Sequence, residues 1–196
     1  IDRPAYTPGR PMRLAVPLAD LLRAPGGARD RQVNFGADLT LIDEQDGWSF
    51  VQAALDGYCG WLKSGDLGPA TAPITHRVHA PATHIYSEPN LKRPDLAGLS
   101  LGARLSVTGL QDGFAGLADG GWVPVQHISD QPAQDPAEVA LTLLGTPYLW
   151  GGNSRWGIDC SGLAQAALAG DAGAVHARRV LTRLIGRYHG GPGQVG

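Results

Sequence analysis

The stretch that decides the fold is GTPYLWGGNSRWGIDCSGLAQAAL, residues 145–168. It opens as an extended run, breaks at Gly151-Gly152, and crosses a polar loop to reach Asp159-Cys160-Ser161-Gly162. Residues 163–168 are almost all good helix formers. The pattern therefore predicts that Cys160 lies at or next to a helix N-terminus.

A cysteine in that place is suited to nucleophilic chemistry. Asp159 or Ser161 can cap the helix. The unpaired amide donors and the positive end of the helix dipole favour thiolate over thiol, which is the form a cysteine nucleophile needs at neutral pH. The alternative is a buried, inert Cys160. The Gly-Gly break, the preceding Asp and the following Ser-Gly favour the nucleophile.

These residues resemble the NlpC-type cysteine peptidases, bacterial cell-wall endopeptidases with a papain-like core. The family pattern is roughly Pro-Tyr-x-Trp-Gly-Gly, a short loop, then Asp-Cys-Ser-Gly-Leu-x-Gln, and residues 147–152 and 159–165 match it. The resemblance covers about residues 135–168 and implies that Cys160 is the catalytic nucleophile. Three further matched positions imply substrate-binding residues: Tyr148, Asp159 and Ser161.

Composition limits the possible partners. The chain has 196 residues, 43% hydrophobic and 17% charged, with a net charge of −2, and this balance argues against a nucleic-acid partner. No apolar run approaches the roughly 18 to 20 residues of a membrane-spanning helix. Two cysteines do not form a secreted disulfide framework, so we expect a cytoplasmic location. The start at Ile1, without Met or a signal-like core, suggests a trimmed N-terminus.

The N-terminal two thirds predict two small β-barrels. Residues 1–11 are typical of an arm, and short strands separated by turn residues follow in residues 12–68. After a linker, 69–76, residues 77–130 look like a second copy. The matching segments are Pro17–Pro25 with Pro81–Pro89, Phe35–Leu39 with Leu101–Leu105, Asp46–Trp48 with Asp112–Phe114, and Gly60–Leu62 with Gly121–Val123.

This repeat resembles tandem bacterial SH3-like domains, which precede an NlpC-type domain in a known family layout. The alternative is a single β-sandwich. The predicted fold class is mainly β plus α+β, with two SH3-like barrels followed by an incomplete papain-like domain, residues 131–196.

The start of that last domain predicts a helix after Asp135-Pro136, ended by Gly145. One apolar face is expected on it: Val139, Ala140, Leu143 and Leu144. The resemblance is expected to end near Ala169, before the strands that carry the catalytic His in the family. The Gly-rich residues 170–196 hold His176 and His189 as the candidate bases. We therefore expect a truncated or altered C-terminal part and a poor or inactive peptidase.

The resemblance implies hydrolysis of γ-D-glutamyl–diamino acid bonds in peptidoglycan-derived peptides, such as L-alanyl-γ-D-glutamyl-diaminopimelate, during cell-wall recycling. In tandem-barrel members the first barrel narrows the cleft and helps to bind the free amine of L-Ala, which implies a role for Tyr58. Ala37 stands where a Glu is usual, and the possible substitutes are Asp43, Glu44 and Asp46. The incomplete domain is expected to favour self-association.

Two non-enzymatic alternatives stay open. In one, the barrels bind cell-wall peptide or a partner protein beside a remnant peptidase domain. In the other, residues 135–196 cap the barrels structurally.

No cofactor or metal is predicted. In an extended strand the three histidines His76, His79 and His84 cannot all lie on one face, and no Cys pair or acid stands nearby. Three tryptophans are expected in the barrel cores: Trp48, Trp61 and Trp122. Trp150 and Trp156 flank the nucleophile loop as cleft wall or as packing.

Overall fold

The computed structural model describes residues 8–131 and 135–168. The first β unit forms because short runs of alternating burial are separated by turns. Its elements in chain order are β1 (Arg10–Leu14), β2 (Leu18–Leu22), β3 (Arg29–Asn34), β4 (Asp38–Gln45), β5 (Trp48–Ala53), β6 (Cys59–Lys63), the 3-10 turn η1 (Ser64–Asp66) and β7 (Leu67–Pro69). They make one antiparallel sheet of order β3-β2-β6-β5-β4-β1-β7, with β3 at an edge.

The second β unit repeats this plan with shorter strands. Its elements are β8 (His76–Val78), β9 (Ala82–Tyr86), β10 (Asp95–Ser100), β11 (Arg104–Leu105), β12 (Val107–Gln111), β13 (Phe114–Leu117), β14 (Trp122–Pro124), η2 (Val125–His127) and β15 (Ile128–Ser129). They form a sheet of order β10-β9-β14-β13-β12 and a sheet of order β11-β8-β15. No strand runs through residues 70–75, so the two units are separate sheets.

The strand pairings follow the internal repeat. Leu22 pairs with Trp61 in the first unit as Tyr86 pairs with Trp122 in the second. Both units also have an Asp-Gly hairpin turn in which both residues have positive φ: 50° and 81° at Asp46-Gly47, and 49° and 79° at Asp112-Gly113. These angles are those of the type I′ turn that suits the twist of a hairpin.

The limits of the units differ slightly from those expected. β1 already begins at Arg10, so the predicted arm, 1–11, reaches too far; residues 1–7 lie outside the described part of the chain. Pro69 ends β7 and His76 begins β8, so both ends of the predicted linker lie in strands. The mixed class, mainly β plus α+β, is the one predicted.

Each barrel has its own apolar core. The largest apolar side chains that are at most 1% exposed are Leu14, Leu21, Val51 and Leu62 in the first barrel and Val78, Leu99, Leu105 and Val123 in the second. The prediction that Trp48, Trp61 and Trp122 fill these cores is wrong, because all three are only half-buried. They lie on the other face of their strands: the Trp61 ring packs 5.2 Å from the Phe50 ring.

The C-terminal part contains α1 (Pro136–Thr142), β16 (Asn153–Ser154), β17 (Gly157–Ile158) and α2 (Cys160–Leu168). Asp135 caps α1 as predicted, since its Oδ1 accepts the Ala137 N–H at 2.9 Å. The apolar face is correct except for Leu144, which is 73% exposed because the helix ends before it. Within the described ranges, neither helix has the length and apolarity that crossing a membrane requires.

The two barrels are joined directly. The Arg104 N–H donates to the Phe35 carbonyl at 2.9 Å, and the Asp38 carboxylate bonds Arg104 at 2.6 Å and Arg13 at 2.9 Å. Gly36 lies in this junction with a φ of +72°, and a Cβ there would overlap the Arg104 carbonyl oxygen. The junction therefore requires glycine at position 36 for two reasons, backbone conformation and space.

We expect Gly36→Ala to lower the free energy of unfolding by at least about 2 kcal/mol, because it adds left-handed strain and a clash with backbone. Urea unfolding measures this. Gly65→Ala is the matched control, since a Cβ at Gly65 meets nothing within 4 Å. Equal losses in the two variants would contradict a special requirement at the barrel junction.

Candidate active site

Cys160 is the first residue of α2, and its helix turn is capped by the residue before it. The Asp159 carbonyl accepts the Leu163 N–H at 2.9 Å, which is the first bond of the helix. The Asp159 Oδ1 accepts the Gly162 N–H and the Ser161 Oγ–H, each at 2.7 Å. Cys160 is free and exposed, so the alternative of a buried cysteine does not apply.

The second oxygen of Asp159 holds the glycine loop: its Oδ2 accepts the Gly151 N–H at 2.9 Å. Burial raises the pKa of this carboxyl, but hydrogen bonds from Gly162, Ser161 and Gly151 outweigh it, so the pKa lies below its ordinary value. Asp159 is therefore ionised at neutral pH.

The surroundings of Gly151 explain why the first position of the Gly-Gly pair is a glycine. Its φ is +70°, and a Cβ there would lie 2.7 Å from the Asp30 carbonyl oxygen of the first barrel. The loop before Cys160 therefore lies directly against β3, and a side chain at this position would separate them.

Cys160 opens into a cleft of about 270 Å³ between α2 and the first barrel, which we call the Cys160 cleft. The structure brings the sequence-predicted site residues together on its wall: Cys160, Tyr148, Asp159, Ser161 and Tyr58. Tyr148 is 69% exposed and Trp150 63% exposed, so both can meet a ligand. Trp150 is thus cleft wall, one of the two roles left open by the sequence.

Asp30, at the edge strand β3, also lines the cleft, and the sequence analysis missed it. The Tyr58 hydroxyl donates to its Oδ2, and Arg23 donates to its Oδ1 at 3.0 and 2.8 Å. The hydrogen bond from Tyr58 has the largest effect in lowering the pKa of Asp30, and the bonds from Arg23 lower it further. The Tyr58–Asp30 bond also raises the pKa of Tyr58. The available signal was the polar run of residues 29–32, which is unusual in a barrel strand and indicates a covered polar face.

The residues proposed to replace the missing Glu are not in this cleft. Asp43, Glu44 and Asp46 lie at the exposed β4–β5 hairpin, and none of them lines it. Ala37 packs against the core of the first barrel. That part of the prediction is wrong, because the acid in the cleft comes from β3.

Arg31 links the first barrel to α2, the helix that begins at Cys160. Its guanidinium lies 5.2 Å from the centre of the Tyr58 ring and donates to Asp56. It also donates to the Gln165 Oε1 on α2 at 2.8 Å, and the Gln165 amide donates to Asp56 at 3.3 Å. This ring of bonds sets the distance between Tyr58 and the helix that carries Cys160.

A larger cavity of about 870 Å³ lies between both barrels and the two helices. It shares Arg31, Asn153 and Gln165 with the Cys160 cleft but does not include Cys160. We take the smaller cleft as the candidate active site because Cys160, two ionised acids and Tyr58 converge there.

No histidine lines the cleft in the described part of the chain, and His176 and His189 both fall outside the described residues. Between residues 8 and 168, as far as the structure describes them, no group of three His, Cys, Asp or Glu side chains could hold a metal.

Two family models match the chain. Residues 21–67 match the bacterial dipeptidyl-peptidase Sh3 domain, and residues 145–181 match the NlpC/P60 family. Together these matches support an NlpC-type peptidase with an SH3-like domain. The second match ends at residue 181, beyond Ala169, where the sequence resemblance was expected to end.

The NlpC/P60 chain is 30% identical over 152 residues to a γ-D-glutamyl-L-lysine dipeptidyl-peptidase of Bacillus subtilis, covering 67% of this chain and 49% of that protein. It is 24% identical to dipeptidyl-peptidase 6 of Lysinibacillus sphaericus, covering 69% and 59%. The chain thus spans about half the length of these relatives. An NlpC/P60 family protein from Bacillus cereus has the same fold, with a TM-score of 0.68 at 19% identity over 86% of this chain and 73% of that one.

We expect Asp159→Asn to be less stable than the parent chain by about 1 kcal/mol at neutral pH, because charge-assisted hydrogen bonds become neutral ones. Asn still caps a helix but does not titrate. Since the folded-state pKa of Asp159 is lowered, its contribution is present above about pH 4 and is lost as the pH falls through the folded-state pKa.

Urea unfolding of both chains between about pH 7 and pH 3 checks this. The stability difference should shrink below about pH 4. Asp119→Asn, which removes an exposed carboxylate of the second barrel, is the control. A difference that stays constant with pH would show that the Asp159 charge does not stabilise the fold.

Proposed function

We propose that this chain is a cysteine peptidase that hydrolyses γ-D-glutamyl–diamino acid bonds in peptidoglycan-derived peptides. The observation that carries the proposal is an exposed cysteine at a helix N-terminus, in a cleft walled by Asp159 on one side and the Tyr58–Asp30 pair on the other. The name of the Bacillus subtilis relative, γ-D-glutamyl-L-lysine dipeptidyl-peptidase, supports the bond type.

In the proposed reaction the Cys160 thiolate attacks the carbonyl carbon of the scissile amide. The amide C–N bond breaks, the leaving amine takes a proton from an imidazolium, and a thioester remains on the sulfur. Water then attacks the thioester, giving up a proton to the imidazole, and the acid and the thiolate are released. His176 and His189 are the candidate imidazoles by sequence.

Two ionised carboxylates suit a substrate with a free N-terminal amine. The lowered pKa values of Asp30 and Asp159 keep both side chains charged at neutral pH, and both line the cleft. An unpaired ammonium in a closed cleft costs several kcal/mol, so these acids favour short peptides such as L-alanyl-γ-D-glutamyl-diaminopimelate over intact wall. We propose Asp30 for the role first sought at Asp43, Glu44 or Asp46, acting beside Tyr58 during recycling of such peptides in the cytoplasm.

A second candidate function is binding without catalysis, in which the cleft retains cell-wall peptides. The observation that favours it is that no histidine lines the cleft in residues 8–131 and 135–168. Hydrolysis and thiol reactivity separate the two functions.

We expect Cys160 to alkylate faster than Cys59 near neutral pH, because only Cys160 lies at a capped helix N-terminus. Both cysteines are exposed, so Cys59 is an internal reference for access. Iodoacetamide labelling followed by peptide mapping measures the two rates. Equal rates would favour the binding function.

The same chain is then incubated with L-alanyl-γ-D-glutamyl-diaminopimelate. Turnover, which we expect to be slow in this chain, should be abolished by Cys160→Ala and retained by Cys59→Ser, and loss in His176→Ala or His189→Ala identifies the base. Turnover that survives Cys160→Ala would refute the proposed nucleophile.

We expect Asp30→Asn to raise KM for the free-amine tripeptide by about 10- to 100-fold, because a hydrogen bond to a charged group contributes about 1.5–3 kcal/mol. The N-acetylated tripeptide should respond little, since it has no ammonium to lose. Asp46→Asn, at the exposed hairpin, is the matched control. Equal increases in KM for the two peptides would mean that Asp30 supports the structure of the cleft and does not bind the amine.

A further inference from the structure

The segment from Asn153 to Ile158 forms a hairpin that lies two residues before the nucleophile; we call it the bridging hairpin. It is tied to the chain around it by backbone bonds. The Ile158 N–H donates to the Pro147 carbonyl at 3.1 Å, and the Asp159 N–H donates to the Gly152 carbonyl at 3.2 Å. A shift of this hairpin therefore moves the start of α2.

The first barrel holds one strand of the bridging hairpin. The Asn34 amide donates to the Asn153 carbonyl at 2.9 Å, and the Asn153 N–H donates to the Gln32 Oε1 at 3.2 Å. Gln32 is only 6% exposed, so its acceptor is fixed in the barrel surface.

The second barrel holds the turn. The Arg155 N–H donates at 2.8 Å to the Oγ of Ser100, which is 1% exposed. The Trp156 ring lies on Gly98 in the same strand, β10, where a Cβ would stand 3.3 Å from its Cζ2. Trp156 is thus packing, the other role left open by the sequence. The Arg155 guanidinium bonds the Leu144 carbonyl at 3.1 Å and the Thr146 hydroxyl at 3.0 Å, which joins the turn to the end of α1.

We propose that Gly98, Ser100 and Trp156 are positioning residues for Cys160, and that the second barrel serves as the anchor of the nucleophile loop. No described residue of the second barrel lines the Cys160 cleft, so this role is separate from substrate contact. The positioning role rests on the proposed peptidase function, but the anchoring does not.

The second barrel can position Cys160 because a hairpin attached only to the first barrel could still rotate. Attachment to both barrels prevents that rotation. The barrels are themselves joined through Phe35 and Arg104, so the two attachment points keep a fixed separation. Misplacement of a nucleophile by about 1 Å can cost about 100-fold in rate. Contacts at Gly98 and Ser100 can therefore act on catalysis through Cys160.

The test compares Gly98→Val with Gly109→Val. Both glycines lie in strands of the second barrel with ordinary φ, but a Cβ at Gly109 meets nothing within 4 Å. Hydrogen exchange of the amides of residues 158–163 should be about tenfold faster in Gly98→Val only, since displaced Trp156 releases the turn. With the tripeptide, kcat should fall about tenfold or more while KM changes less than about twofold.

Trp156→Ala should give the same pattern, and Trp156→Phe should restore it, because an aromatic ring again lies on Gly98. Trp156 is 51% exposed, so its truncation provides a second variant if Gly98→Val does not fold. In the Trp156→Ala background, Gly98→Val should add little, as expected for two residues in one contact.

Unchanged exchange at 158–163 in both Gly98→Val and Trp156→Ala would overturn the anchoring role, as would equal effects of Gly109→Val. Faster exchange with unchanged kcat would overturn the positioning role. If the parent chain does not hydrolyse the tripeptide, the proposed function and the positioning role fail, and the exchange experiment still decides the anchoring.

Discussion

The region around Cys160 depends on the hydrogen bonds that the Asp159 carboxylate accepts. One oxygen caps α2 through Gly162 and Ser161, and the other holds Gly151 of the preceding loop. A single charged group thus fixes the helix that carries Cys160 and the loop that lies against the first barrel. Because these bonds outweigh the effect of burial and lower its pKa, the group remains an acceptor at neutral pH.

The repeat and the position of Cys160 at a helix N-terminus could be predicted because their signals are local. Asp-Gly turns and a Gly-Gly break before a run of helix formers specify backbone conformation within a few residues. The strand pairings of the two barrels then follow the same offsets as the sequence match. Cys160, Tyr148, Asp159 and Ser161 are close in sequence, and the local chain brings them to one cleft wall.

Asp30 and the tryptophans could not be predicted in this way. Asp30 enters the cleft because β3 is an edge strand that meets a segment about 120 residues later, and nothing local records that contact. The face on which Trp61 lies is set by how the sheet closes, and a one-residue change of register reverses it. Leu144 does not lie on the predicted apolar face because α1 ends at Thr142. Periodicity specifies helix ends less well than helix interiors.

A cleft with one wall on the first barrel and the other on α2 needs those walls at a fixed distance, and hydrogen bonds between the two provide it. Arg31 and Asp56 on the first barrel bond Gln165 on α2, directly behind Tyr58. On the first-barrel wall of the cleft, the Tyr58–Asp30 bond raises the pKa of the phenol and lowers the pKa of the carboxyl. At neutral pH the wall therefore carries an ionised carboxylate that is held in place by the O–H of a neutral phenol. Because this carboxylate is already ionised and oriented, binding of the proposed substrate ammonium would require no proton transfer and little rearrangement.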